Sequence, residues 1–512
     1  MATAFLLAAI LGGSVMLWWP LADIYIIASD DATLILGSQS LAAGNWHRLL
    51  EPQGPHILPL YKLLRLYFDL HFPARFHWMY GVAILAHLSS AILLFVLSKH
   101  YLRTAEAPLV VALFFAWQTW GWEAMVISSQ NTYVLSLPFL LGAVCCVIRL
   151  HSGRLWTWAA GCFLYLVAAV GLHSLAAASA IPGVLAGYYL LGRPRERRGG
   201  CDVAAWLACC IPLMLAIGLW MRWGLPRFHA DLGAQGFPRT AFQTLAQLWH
   251  GLQGTMFLFG FLVSRHTPTF LVLVMTALGW LALLLLLRPS RSRFLITALA
   301  LTTIPAFVTF VIRTAGAFYV SRYGYQSFLA IAVAAGCAVD FVLESLRGNR
   351  FLRVCALVAL IFAVPFYWTR KEWIEHKAVF LEGPSAHREY WMGWDGFFNQ
   401  AAADARASSS SFRLPMLRIS QDRTISQVFQ LCNPKGKPEI VVLSSRDTHE
   451  ADCTNFWRKV QVAKKTAGAF NSVPLPDSMA IVTFHQEVPA GKHLICRVPA
   501  KVGPPTVLSG AD

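Results

Sequence analysis

FHWMYGVAILAHLSSAILLFVL, residues Phe76–Leu97, is the stretch that settles the class of this chain. Its 22 residues contain no Asp, Glu, Lys or Arg. As a helix it is long enough to cross the roughly 30 Å of a bilayer's hydrocarbon core. Working outward from it, ten more apolar segments appear. They are Phe5–Trp19, Pro108–Trp122, Tyr133–Ile148, Leu155–Val170, Leu175–Leu191, Val203–Trp220, Thr269–Leu287, Phe294–Ile312, Tyr325–Leu343 and Phe351–Trp368. Several are short, so their helices must extend into flanking polar residues. Leu155–Val170 and Leu175–Leu191 also fit a re-entrant pair. Only 13% of the 512 residues are charged and 56% are hydrophobic, where a soluble domain has about 25% charged. The expected fold class is mostly α: a polytopic membrane protein with about eleven transmembrane helices.

A net charge of +16 would point to nucleic acid in a soluble protein. Its distribution gives a different account. If the N-terminus is cytoplasmic, the inner loops carry Lys99 and Arg103, Arg149 and Arg154, Arg193 to Arg198, Arg288 to Arg293, and Arg347 to Arg353. Every one is basic, as the positive-inside rule requires. No nucleic-acid partner is needed. Met1–Trp19 lacks a basic leader and a clear cleavage motif, so it reads as a retained span. Eight of the eleven cysteines lie in or beside apolar segments, where a thiol behaves as a small hydrophobe. Cys432, Cys453 and Cys496 remain, and allow at most one internal disulfide.

The opposite side then receives the loop Asp23–Arg75 and everything after Thr369. Within Ile57–Phe72, Lys62, Arg65 and Asp69 are spaced three and four apart and share one helical face. That is the pattern of an amphipathic helix lying in the membrane interface. Ala241–Leu262 is similar and more apolar. Beyond Arg370 charged residues rise and apolar runs shorten. Glu439–Ser444, Met479–Phe484 and His493–Val498 read as strands of a small extracytoplasmic α+β domain. The expected organisation is a membrane domain over 1–369, the α+β domain over 370–501 and a disordered tail over 502–512.

The chemistry-bearing residues gather on that outer side. Asp30 and Asp31 stand just beyond the first span, where a carboxylate can accept a proton from an acceptor hydroxyl. The plainer account is a helix start, since Asp caps helices well. Arg322 can grip two phosphate oxygens and stabilise a departing phosphate; Arg313 lies at the other end of the same turn. Both also fit interfacial arginines that reach lipid headgroups. His56 can orient a substrate or bind phosphate, or simply be a satisfied structural residue. Glu123 sits among Trp117, Trp120 and Trp122, an aromatic belt that also has the faces to stack on sugars. His173 marks a hairpin tip. Walker, GxGxxG, HExxH and GxSxG patterns are missing from the sequence. Two adjacent carboxylates have the chemistry to hold a divalent cation, but nothing in the pattern requires a cofactor.

These residues carry a resemblance. The acidic pair Asp30-Asp31, the segment GPHILPLYKLL (Gly54–Leu64) with His56 and Pro59, and the span Phe76–Leu97 are similar to the first luminal loop and second span of the GT-C superfamily. That superfamily of polytopic glycosyltransferases includes the protein O-mannosyltransferases and the aminoarabinose transferases. SRYGYQSFLAIAVAAG (Ser321–Gly336) resembles the start of a late span in the same bacterial relatives. The resemblance implies a polyprenyl-phosphate-linked sugar donor drawn from the membrane lipids and an inverting transfer to a lipid, glycan or protein acceptor. It also implies a place in a bacterial inner membrane, with catalysis by Asp30 or Asp31. Donor phosphate would meet Arg322, Arg313 and His56, and Glu123, His173, Tyr323 and Trp120 would line the substrate. The chain departs from the pattern at GLHSLAAASAIPG (Gly171–Gly183), where no Glu follows His173. Two other readings stay open: a transporter or flippase of a lipid-linked substrate, and a non-catalytic assembly factor.

Overall fold

The computed structural model describes residues 2–19, 44–52, 56–71, 77–118, 130–151, 154–174, 180–192, 199–219, 269–312 and 324–346. Scattered positions around these and three short strands complete the described set. The chain is mostly helical. The helices are α1 (Ala2–Trp18), α2 (Pro59–His71), α3 (His77–Tyr101), α4 (Ala107–Ala116) and α5 (Thr132–Ile148). They continue with α6 (Leu155–Leu172), α7 (Gly199–Leu219), α8 (Thr269–Leu286), α9 (Pro289–Ile312) and α10 (Gly324–Ser345). Between α6 and α7 the chain runs through two π-helical turns, Ala180–Val184 and Gly187–Leu191, around Pro182. Among the described residues, four helical stretches are long and apolar enough to cross a membrane: Trp78–Tyr101, Leu155–Leu172, Gly199–Leu219 and Gly324–Ser345. Phe351–Trp368 and Ala241–Leu262 lie mostly outside the described residues.

Burial separates a central set of helices from a peripheral one. Eight residues of α4 are buried, around its whole circumference, as expected of a helix enclosed on all sides. Helices α1, α3 and α10 pack around it. Gly336 of α10 permits one of these contacts, because a Cβ there would overlap Val111 of α4. Small residues allow such close backbone approach in membranes, where no hydrophobic force pushes helices together. The periphery is different: Trp156 and Leu164 on α6, Met214 on α7 and Leu285 on α8 are large, apolar and exposed. Apolar faces of this extent on several helices are what a lipid-facing surface presents.

Polar contacts show which helix ends share a side. Asp340, near the end of α10, accepts from the backbone N–H groups of Arg103 and Thr104, at 3.1 and 2.7 Å, just after α3. It also accepts from Arg291 Nε of α9 at 2.5 Å. Arg149, just past α5, lies over the Trp158 ring of α6. These groups define a basic end of the bundle. At the opposite end, the Tyr80 hydroxyl of α3 donates to the Trp18 carbonyl of α1. Gln326 of α10 reaches Tyr133 of α5 there, and His173 closes α6 beside the same tyrosine. The helices thus alternate in direction, and the basic loops that the described residues include fall on one side.

Three strands, β1 (Ile440–Leu443), β2 (Ile495–Val498) and β3 (Thr506–Leu508), pair antiparallel in the order β1-β2-β3. The first two fall inside runs read as strands from sequence. The third lies within 502–512, the segment expected to be disordered. Met479–Phe484 falls outside the described residues. The eight cysteines described, including Cys146, Cys162 and Cys209, are free thiols.

Candidate functional site

Helix α2 forms where its spacing predicts, but its polar stripe is turned the other way. A helix lying in the interface would offer Lys62 and Arg65 to water or headgroups. Here Lys62 is 8% exposed and Arg65 fully buried, while Tyr67 and Leu70 face outward at 52% and 57%. The physical reason lies in what the stripe meets. The Lys62 ammonium donates to the Arg48 carbonyl at 2.8 Å and to that of Glu51. It thereby ties the turn Trp46–Leu49 to the helix. Buried cations are costly unless hydrogen bonds answer them, so this face looks into a polar interior. The Asp69 side chain lies outside the described residues.

Two of the residues singled out from sequence meet beside α2. His173 ends α6 with extended backbone, φ −150° and ψ 111°, which releases the chain from the helix. Its ring lies 4.1 Å from that of Tyr133 and 5.5 Å from that of His56, centroid to centroid. His56 Nδ1 and the Ser174 hydroxyl are 2.8 Å apart. Gly171 makes the approach feasible, since a Cβ there would meet Leu60 of α2 at 2.7 Å. Among the described residues neither ring nitrogen of His173 has a hydrogen-bond partner, although the side chain is 1% exposed. A buried polar group left in that condition calls for an explanation.

A second group stands across the first turn of α10. His87 Nε2 faces the Ala116 carbonyl at 3.0 Å and therefore carries the proton. Its Nδ1 then accepts from the Tyr325 hydroxyl at 2.8 Å. Ser14 Oγ donates to the same Ala116 carbonyl at 2.7 Å, which the end of α4 leaves free. Trp18 packs edge-on to His87. Gln118, 3% exposed, has neither its amide oxygen nor its amide nitrogen bonded among the described residues, and the Trp18 indole N–H is also unanswered. Trp158 Nε1 and one Arg291 nitrogen share that condition near the basic end. Tyr325 touches the His87 group and Gln326 the Tyr133–His173 group. Adjacent residues of α10 thus join two clusters of underused polar groups.

Asp30, Asp31, Trp120, Glu123, Arg313, Arg322 and Tyr323 lie outside the described residues. His56 and His173 are the sequence candidates that the described structure brings together. Sequence reasoning missed Ser174, Tyr133, Gln118 and Gln326. Each is an ordinary polar residue at the end of an apolar segment, and only the packing of several ends reveals it. Among the described residues, no three of His, Cys, Asp or Glu are grouped to hold a metal ion. No protein-family model matches this chain, and no curated protein matches it.

Burial pushes the His173 imidazole well below the usual histidine pKa, and the neighbouring His56 adds to the effect. The consequence for stability has a definite sign. As pH falls through about 6.5, the unfolded chain takes up a proton that the folded site refuses. The contribution is intact above that pH and declines below it, by at most about 1.4 kcal/mol per pH unit. The melting midpoint of the full chain in detergent should fall between pH 7 and 5, and His173→Phe should flatten that slope. An unchanged slope in the variant would assign the acid sensitivity elsewhere.

Proposed function

We propose that this chain is an inverting glycosyltransferase of GT-C type in a bacterial inner membrane, with eleven spans and its basic end in the cytoplasm. The acceptor hydroxyl oxygen attacks the anomeric carbon of a polyprenyl-phosphate-linked sugar. The bond from that carbon to the phosphate oxygen breaks, and its electron pair leaves with the lipid phosphate. Attack opposite the departing group inverts the carbon. Asp30 or Asp31 takes the hydroxyl proton, and Arg322, with Arg313, meets the charge that develops on the phosphate. His56 assists at the phosphate. His173, Glu123, Trp120 and Tyr323 line the substrate. The C-terminal segment, as an extracytoplasmic α+β domain, holds the acceptor.

One observation carries this reading. Buried polar groups with unused bonding capacity, His173 beside Tyr133 and Trp18 beside His87, belong to the two groups that Gln326 and Tyr325 of α10 reach, and Arg322-Tyr323 directly precedes the start of that helix in the chain. A hydroxyl-rich ligand supplies both donors and acceptors to such groups, whereas an apolar one does not. Transport is less favoured. Among the described residues of α3 to α10, the buried charges are Arg291 and Asp340, which are paired with each other at the basic end, where they stabilise structure rather than line a route. The test is transfer from a defined polyprenyl-phosphate hexose by the full chain in detergent micelles, where no second compartment exists. Turnover that Arg322→Gln reduces and Arg322→Lys partly restores supports the enzyme. A folded chain that binds the donor without turning it over removes it.

A further inference from the structure

The basic end holds an arrangement that the transferase reading does not use. Glu344 Oε1 receives two guanidiniums from different helix connections: Arg103 Nη1 and Arg288 Nη1, each at 3.1 Å. The other carboxylate oxygen, Oε2, takes Arg291 Nη2 at 2.5 Å. Arg291 is itself held by Asp340. Three guanidiniums therefore face two carboxylates, and one positive charge is left over. That excess belongs to the rim, because Arg291 is 1% exposed whereas the Arg103 and Arg288 side chains are 50% and 53% exposed.

We infer that Arg103 and Arg288 form a binding site for the phosphate of an anionic membrane phospholipid. Sharing one oxygen at 3.1 Å places the two Nη1 atoms within about 6.2 Å of each other. A single phosphate spans that gap with one charge-assisted bond of about 2.8 Å to each guanidinium. Glu344 fixes the two side chains before a lipid arrives, so little rotamer entropy is lost on binding. The surface alongside suits acyl chains rather than a water-soluble anion. Leu285 and Leu286 close α8 just ahead of Arg288 and are 77% and 64% exposed, and Phe341 stands one turn before Glu344 on α10 at 40%. Cationic heads above exposed apolar side chains match a phospholipid lying against a helix bundle.

The experiment uses the purified full chain in nanodiscs of phosphatidylcholine doped with phosphatidylglycerol, and reads lipid occupancy by native mass spectrometry. At about fivefold per basic residue, phosphatidylglycerol should bind about 25-fold more tightly than phosphatidylcholine. The pair Arg103→Gln and Arg288→Gln should erase that preference, and rising salt should erode it in the native chain. Inorganic phosphate should not compete at millimolar concentration. Equal occupancy by the two lipids overturns the site. So does a full preference in the glutamine pair, or equal competition by inorganic phosphate, which would assign a free anion instead. Should the glutamine pair not fold, a preference in the native chain that withstands 1 M salt overturns it as well.

Discussion

Replacing Asp30 and Asp31 together by asparagine should lower sugar transfer by about 10²- to 10⁴-fold, the range a positioned general base contributes. Asparagine is the informative choice. It caps a helix about as well as aspartate does, so the plainer role of this pair, starting a helix after the first span, survives the substitution. A catalytic carboxylate does not, because an amide cannot take up the acceptor's proton at neutral pH. The measurement is kcat/KM with the polyprenyl-phosphate donor, alongside the melting midpoint of each variant. Each single variant then reports its own residue: the base loses most of the rate and its neighbour a fraction. A double variant that melts like the native chain and keeps its rate would leave both residues as caps and end their catalytic role.

Asp340→Ala should be the most damaging single change to the fold, costing about 3–5 kcal/mol, as breaking a buried ion pair generally does. Asp340 is fully buried. It receives the Arg103 amide, the Thr104 amide and hydroxyl, and Arg291 Nε. Truncation leaves a guanidinium that is 1% exposed with Glu344 as its remaining carboxylate partner among the described residues, and strands two backbone donors. Removing both charges, with Asp340→Leu and Arg291→Met, should recover part of the loss, since an apolar pair of similar volume avoids the uncompensated charge. Recovery stays incomplete because the amides still lack an acceptor. Melting in detergent and the yield of folded protein measure both effects. If Asp340→Ala melts within a degree or two of the native chain, Arg291 has another buried partner and the network does not hold the basic end together.

Much of the fold was legible in the sequence because hydrophobic runs and charge bias are local properties. Phe76–Leu97 announced α3, and helices also form over the segments expected at Tyr133–Ile148, Leu155–Val170 and Tyr325–Leu343. The site was legible only in part. His56 and His173 were chosen separately, and nothing in their spacing of more than a hundred residues said that their rings would lie 5.5 Å apart. Lys62 and Arg65 read from spacing as one stripe, and only the packing shows that this stripe is buried. Periodicity tells which residues share a helical face, not which neighbour that face meets. A charged face normally seeks water, and here the carbonyls of Arg48 and Glu51 replace water for Lys62. Asp340 stands in the sequence as a single carboxylate towards the end of the apolar run Tyr325–Leu343. Its four donors come from residues 49 or more positions away in the chain, out of reach of any local pattern.

By itself the sequence determined the solvent. Few charges and long apolar runs suit a membrane protein, and the arginines among the described residues gather at one end of the helix bundle. The tertiary structure decided which polar groups that solvent leaves inside the protein and what they meet there. It turned α2 inward, joined the Tyr133–His173 and His87 groups across α10, and closed the Arg291–Asp340 pair. The reason is energetic: in a membrane a buried polar group must find a partner within the protein. Which partner it finds depends on how the helices pack, and a linear pattern does not contain that.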